Sequence, residues 1–231
     1  MKIGILTAMQ SEHELLAHLL CDTKQQTILH LNYTLGNIGS NEIILLQCGI
    51  GKVNATIGTT ELIRDFTPDC IISTGVAGGI DQCLHVMDVV VSQQTVYHDV
   101  WCGMGCERGQ IQGLPTYFEA CPILVNTALS LTTKQTTQIH KGLICTGDQF
   151  ITSHAELAKI KSHFPQALAV DMESCAIAHT CRLYNIPFVS FRIISDTPGI
   201  DEHLQQYEDF WGEMSKRSFL VTKHFLEAIT Q

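Results

Sequence analysis

The chain is 231 residues long, 45% hydrophobic and only 16% charged, which excludes a disordered linker or tail and suffices for one sizeable core. A formal net charge of −9, with no basic stripe, argues against nucleic acid and anionic membrane surfaces as partners. No apolar run is long enough for a membrane span, and MKIGILTAMQSE reads as a first strand rather than a leader, so a cytoplasmic location is expected.

Taken in chain order, apolar runs of strand length fall near residues 2–6, 27–35, 42–48, 69–74, 87–92, 138–145, 167–171 and 188–194. Helix-period segments fall near 11–20, 53–65, 121–131, 154–163, 173–184 and 207–229. Several strands, such as EIILLQC and FVSFRII, are continuous rather than alternating, as befits strands covered on both faces. Strand and helix alternate throughout, which predicts an α/β fold with a central mixed or parallel sheet flanked by helices. No linker, charge block or repeat divides the chain, so residues 1–231 are expected to form one domain. The one long segment without periodicity is 98–118, HDVWCGMGCERGQIQGLPTYF, a length that points to a functional or interface role.

The ten cysteines are scattered through apolar contexts and read as reduced core thiols. Cys102 and Cys106 form the one close pair. No second pair at finger spacing accompanies them, and the eleven histidines show no ligand spacing, so no metal is expected.

Ligands of α/β sheets gather beyond the carboxyl ends of strands. Those ends read TAMQSEHE, CGIGKVNA, STGVAGGI, TGDQFI, VDMES and ISDTPG. Carboxylates recur there: Glu12, Asp148, Asp171 with Glu173, and Asp196. Ser11 with Glu14 fits a capping box, which sets Glu12 in a first helical turn. GVAGGI does not make GxGxxG, and GIGK lacks the remainder of a P-loop, so neither is a nucleotide-phosphate signal. Phe150 is a candidate for stacking a flat ring. Carboxylates in different environments can divide acid, base and electrostatic roles, as in cleavage through an oxocarbenium-like transition state. From the residues alone, the expectation is a carboxylate-dependent enzyme acting on a small polar ligand, with metal-assisted hydrolysis a less supported alternative.

Seven segments in order, MKIGILTAMQSE, GIGKVNA, STGVAGG, YHD, TGDQFI, VDMES–AIAH and ISD, resemble the 5′-methylthioadenosine/S-adenosylhomocysteine nucleosidases, within the purine nucleoside phosphorylase-like superfamily. The resemblance runs from the first strand to the last helix. It implies a three-layer nucleoside phosphorylase-like sandwich and cleavage of the N9–C1′ bond of an adenine nucleoside by water, with no metal or organic cofactor. By the same resemblance, Glu12 activates the water and Asp196 protonates adenine N7. Glu173 holds the ribose hydroxyls, Met172 packs on the sugar, and Arg192 belongs to the adjoining polar network. Phe150 stacks on adenine and the Ile151 backbone reads the purine edge. Met9, Ile50 and Tyr207 surround the sugar and its 5′ substituent, and Val76 lies at the same site. A homodimer is implied, with the 98–118 loop at or near its interface. To serve, Glu12 must be ionised and Asp196 protonated; burial and a neighbouring carboxylate both favour the latter.

Several positions depart from the commonest family pattern. Gln10 and Ser11 stand where acids are frequent, Val76 where serine is frequent, and Asp171 where glutamate is usual, and WCGMGCERGQIQGLP replaces the usual loop. Rival readings are a phosphate-dependent phosphorylase, an aminodeoxyfutalosine nucleosidase and a non-catalytic nucleoside-binding protein. The first needs cationic or backbone donors for a phosphate dianion, whereas Glu12 would repel it and no arginine precedes Arg64.

Overall fold

The computed structural model describes residues 1–131, 137–197, 203–211 and 215–229. The first half contains β1 (Lys2–Thr7), α1 (Gln10–Ala17), β2 (Cys21–Ile28), β3 (Leu31–Ile38), β4 (Asn41–Gln47), α2 (Lys52–Phe66), β5 (Cys70–Gly79) and β6 (Val89–Tyr97). The second contains β7 (Phe118–Glu119), α3 (Pro122–Leu129), β8 (Ile139–Thr146), α4 (His154–His163), β9 (Ala167–Asp171), α5 (Ser174–Tyr184), β10 (Phe188–Asp196), α6 (His203–Asp209) and α7 (Ser215–Ala228).

All ten strands belong to one mixed sheet. β1 lies parallel to both β4 and β5, and β4, β3 and β2 continue outward as an antiparallel meander. In the other direction β5 pairs in parallel with β10, β10 antiparallel with β6, and β6, β8 and β9 run parallel to one another. β9 then returns to β5, antiparallel, through Gly78↔Val170 and Gly79↔Ala169. The sheet thus closes into a ring of five strands. One buried side chain from each, namely Ala77, Val90, Ile144, Ala169 and Ile194, packs into a shared cluster with Leu84. The closure brings backbones close: a Cβ on Gly79 would lie 2.9 Å from Ile194 Cγ2.

Helices cover both faces. Leu16 of α1, Leu124 and Val125 of α3 and Phe219 and Phe225 of α7 share one core with Ile3, Ile43, Val189 and Phe191. Ala55, Leu62 and Ile63 of α2 and Cys175 to Ala178 of α5 share another with Leu6, Ile44 and Ile71. The expected α/β architecture, a mixed sheet between helices, is what forms.

Some boundaries differ from the sequence expectation. The predicted strand 27–35 is two strands joined at Leu29–His30, a turn with no Asn-Gly signal in which Leu29 takes a φ of +53°. β5 runs past residue 74 to Gly79, its glycines allowing the ring to close. The segment 207–229 is two helices, with 212–214 outside the described residues. α1 starts at Gln10 with Met9 at its N-cap, so Ser11 is not the cap; Glu12, at the third helical position, bonds back to the Met9 N–H instead.

The buried Asn41 side chain donates from Nδ2 to the carbonyls of Leu226 and Ile229, 2.9 Å each, fastening α7 to the sheet. Asn41→Ala strands two carbonyls and is expected to lower unfolding free energy by about 1–3 kcal/mol in urea titrations.

Candidate active site

Where the ring closes, β1, β5, β9 and β10 all end around a cavity of about 350 Å³. Met9, Glu12, Ile50, Val76, Phe150, Ile151, Met172, Glu173, Asp196 and Tyr207 all line it, as the sequence reading grouped them. Arg192 is the exception: it is buried beside the cavity without lining it. Asp148 also stays outside, with its carboxylate on the Lys52 N–H. Ala8, Ala77, Gly78, Gln149, Val170, Asp171 and Ser195 complete the wall. Sequence reasoning passed over Ser195 and Gln149, although both lie inside motifs it singled out, ISD and TGDQFI. Among the described residues, no lysine, arginine or histidine lines the cavity.

Glu12 is held by backbone. Its Oε2 accepts from the Ala8 and Met9 N–H groups at 2.9 and 3.0 Å, and Oε1 from the Val76 N–H at 2.9 Å. The first turn of α1 and β5 therefore aim the carboxylate together. Only 1% of the residue is exposed. Burial raises its pKa, opposed by Arg192 and by the three N–H donors. The N–H of Val76 serves here, so the valine side chain does not weaken the hold. Gly75 is required by the same geometry: at φ +144°, an added Cβ would collide with Glu12 Oε1 and lie 2.9 Å from Arg192 Nη1.

Arg192, on β10 opposite Gly75 of β5, is 1% exposed. Its Nε lies 2.9 Å from Asp171 Oδ2 and donates to Ser174 Oγ at 3.1 Å, and Nη2 donates to Ser73 Oγ at 2.8 Å. Nη2 also lies 3.6 Å from Glu173 Oε2. Asp171, one methylene shorter than the usual glutamate, still reaches the guanidinium. It further accepts from Thr146 Oγ1 at 2.6 Å and from the Ser174 hydroxyl and N–H. Asp171 thus secures the turn into α5 and, above all, anchors Arg192. Glu173 caps α5, with Oε1 accepting from the Gly51 N–H at 3.0 Å. Its carboxyl is pushed up to about 7, first by burial and further by Asp171 and Glu12, against the pull of Arg192 and Gly51.

Asp196 ends β10 just beyond a bulge: Ile194 pairs with Ala77, Asp196 with Gly78, and Ser195 is the extra residue. Such an insertion re-aims the following side chain. Ser195 Oγ donates to Asp196 Oδ1 at 2.7 Å, and Asp196 is 2% exposed. At the mouth, half-exposed Phe150 meets Tyr207 edge-on, ring centroids 5.8 Å apart, and the Tyr207 hydroxyl donates to Met9 Sδ at 3.6 Å. The site thus presents acids on an apolar wall with an aromatic rim. That suits a flat heterocycle carrying a polar, hydroxylated ring.

Two substitutions test this construction. Arg192→Met leaves buried carboxylates without their shared cation and is expected to cost about 3–5 kcal/mol of stability in chemical denaturation. Gly75→Ala, clashing with Glu12 at a strained φ, is expected to cost about 1–3 kcal/mol and to lower turnover, read from the same preparations.

Comparison with known proteins agrees with this geometry. The profile of the phosphorylase superfamily matches residues 2–227. A 5′-methylthioadenosine/S-adenosylhomocysteine nucleosidase of Actinobacillus succinogenes is 42% identical over 94% of this chain and 95% of its own length. Another, from Haemophilus influenzae, is 41% identical over the full length of both. Among solved structures, the S-adenosylhomocysteine nucleosidase of Streptococcus pyogenes with 5-methylthiotubericidin superposes with a TM-score of 0.94, at 36% identity, over 100% of this chain and 98% of that one. The Colwellia psychrerythraea nucleosidase in complex with adenine gives 0.93 at 35% identity, over 99% and 95%. The chain belongs to the phosphorylase superfamily and, within it, to the 5′-methylthioadenosine/S-adenosylhomocysteine nucleosidases, enzymes that hydrolyse nucleosides.

Proposed function

We propose that this enzyme cleaves the N9–C1′ bond of 5′-substituted adenine nucleosides, methylthioadenosine and S-adenosylhomocysteine, with Glu12 as water base and Asp196 as adenine acid. The observation that carries the reading is that Glu12, Glu173 and Asp196, each anchored differently, line one largely apolar cavity with no cationic side chain among the described residues of its wall. In the reaction, water oxygen bonds to C1′ as the C1′–N9 bond breaks. Glu12 takes a proton from the water. The bonding pair leaves with adenine, which accepts a proton at N7 from Asp196 and departs neutral. A base whose pKa is raised by burial works nearer neutrality than an ordinary carboxylate. The anions of Glu12 and Glu173 stabilise the positive charge that develops on the ribose.

Glu173 accepts hydrogen bonds from the ribose hydroxyls, with Met172 against the sugar. Phe150 stacks on adenine, the Ile151 backbone reads its edge, and Met9, Ile50, Val76 and Tyr207 enclose the remainder. Arg192 acts from behind, as the counter-charge of Asp171, Glu173 and Glu12. Water is favoured over phosphate as nucleophile because a phosphate dianion would enter a wall holding four carboxylates, those of Glu12, Asp171, Glu173 and Asp196. The chemistry needs no metal or organic cofactor, and the whole chain serves as one cytoplasmic catalytic domain. Aminodeoxyfutalosine shares the adenine nucleoside core and belongs in the same substrate panel.

A homodimer is part of this reading. Ile50, just before α2, and Val53 and Ile57 on its first turns are 50%, 69% and 42% exposed, and Trp101 and Met104 of the 98–118 loop are also exposed. An apolar surface beside the mouth of the cavity suits a second copy. Sedimentation equilibrium is expected to give twice the chain mass, and Val53→Glu with Ile57→Glu a monomer.

The reading is tested by adenine release in phosphate-free buffer. Asp196→Asn and Glu12→Gln are each expected to lower kcat by about 10²–10⁴-fold while far-ultraviolet circular dichroism stays unchanged. Near-normal turnover would remove the residue from the mechanism, and phosphate-dependent release with ribose 1-phosphate would replace hydrolysis by phosphorolysis. Because Glu173 must be ionised and its pKa is raised to about 7, kcat/KM is expected to fall as pH drops through that value.

A further inference from the structure

The charged residues of three motifs, Lys52 of GIGK, Asp99 of YHD and Asp148 of TGD, have no part in this chemistry and do not line the cavity, yet they lie together beside it. They are cross-tied by a compact set of bonds. Lys52 Nζ donates to Asp99 Oδ2 at 2.7 Å, and the Asp148 N–H donates to the same oxygen at 2.9 Å. The Lys52 N–H donates to Asp148 Oδ1 at 2.8 Å, and Nζ lies 3.6 Å from Asp148 Oδ2. The ammonium also lies 5.5 Å from the centre of the Tyr97 ring. One lysine therefore joins the turns that follow β4, β6 and β8.

The residue before it, Gly51, is held just as closely. It takes a φ of +93°, and an added Cβ would lie 3.0 Å from Asp148 Oδ1. Its N–H is the one that donates to Glu173 Oε1. We infer that Lys52, clamped by Asp99 and Asp148, is a positioning residue for Glu173: it fixes the Gly51 N–H against that carboxylate and so keeps it aimed at the ribose. The inference rests on the reading of Glu173 as the ribose clamp.

The groups facing Glu173 make the consequence specific. From β10, Arg192 favours its anion, while Asp171 of β9 and Glu12 of α1 oppose it; the Cys48 thiol after β4 is also near, and burial opposes the anion most strongly. The Gly51 N–H is the second stabiliser of the ionised form, after Arg192. Loosening the turn removes a donor to the anion and leaves burial and the like charges in place. The carboxyl then titrates at higher pH.

The experiment compares wild type with Lys52→Met and Lys52→Arg. The Glu173 carboxyl is followed by carbon-13 NMR of glutamate-labelled protein, its signal assigned by its loss in Glu173→Gln. Lys52→Met is expected to raise the midpoint by about half a pH unit or more. The acid limb of kcat/KM for methylthioadenosine is expected to shift equally, and Lys52→Arg, keeping the charge and donors, to restore most of both. A folded Lys52→Met whose Glu173 titrates as in wild type overturns the inference. So does a loss of activity that is uniform across pH and merely follows a lowered Tm. If Lys52→Met does not fold, Asp99→Asn takes its place, since it weakens the lysine's hold while leaving an acceptor for the Asp148 N–H, and the same shift or its absence decides. The titration needs no turnover. A Glu173→Gln enzyme that kept its activity would defeat the clamp reading, and the midpoint would still decide what Lys52 does.

Discussion

The structure depends on one buried cation. Arg192 has no access to water, and its guanidinium answers Asp171 directly and Glu173 and Glu12 more weakly. Desolvating a guanidinium is costly and is compensated only when nearly every donor is matched. Ser73 and Ser174, on β5 and at the start of α5, add neutral acceptors for Nη2 and Nε. The carboxylates in turn could not stay buried together without it. Arg192 lies where β10 pairs with β5 on one side and β6 on the other, so sheet pairing and charge compensation fix the same residue. The acids share the cation unequally. Asp171 has its oxygens taken up by arginine, threonine and serine, whereas Glu173 has only a distant guanidinium nitrogen and a backbone N–H.

The closed ring accounts for the rest of the geometry. β5 and β9 run in opposite directions and meet only at their carboxyl ends, through Gly78, Gly79, Ala169 and Val170. Strand ends that a flat sheet would hold on opposite edges are thereby brought to one place. Asp171, Met172 and Glu173 follow directly from β9, and Asp196 comes from the bulged end of β10. Of the glycines of STGVAGG, Gly78 and Gly79 serve this meeting of strands and Gly75 the close approach of Glu12, and they match no nucleotide-binding pattern.

Much of the site was legible because its chemistry is concentrated at strand exits, and those exits are marked by short polar runs after apolar ones. Glu12, Glu173 and Asp196 each stand in such a run. What was not legible depends on contacts distant in sequence. Nothing in VDMES says that Asp171 will meet an arginine on another strand, so its anchoring role could not be read from the sequence. The hairpin between β2 and β3 was missed because Leu29 takes a positive φ without the glycine or asparagine that usually announces it. Ring closure was invisible for a similar reason: strand positions give pairing candidates, but a return of the last partner onto the first is a fact of three-dimensional path.

The manner in which Glu12 is held has a bearing on how such a site can vary. Its three donors are the main-chain N–H groups of Ala8, Met9 and Val76. A main-chain donor survives any replacement of its own side chain except by proline. The carboxylate that we propose as the water base is therefore insulated from drift at the very positions that shape the cavity wall around it. The side chains at positions 9 and 76 can be exchanged, reshaping the cavity wall, while Glu12 keeps its aim. The hold on Glu12 and the shape of the wall are thus written in separate parts of the same residues, one in the backbone and the other in the side chains.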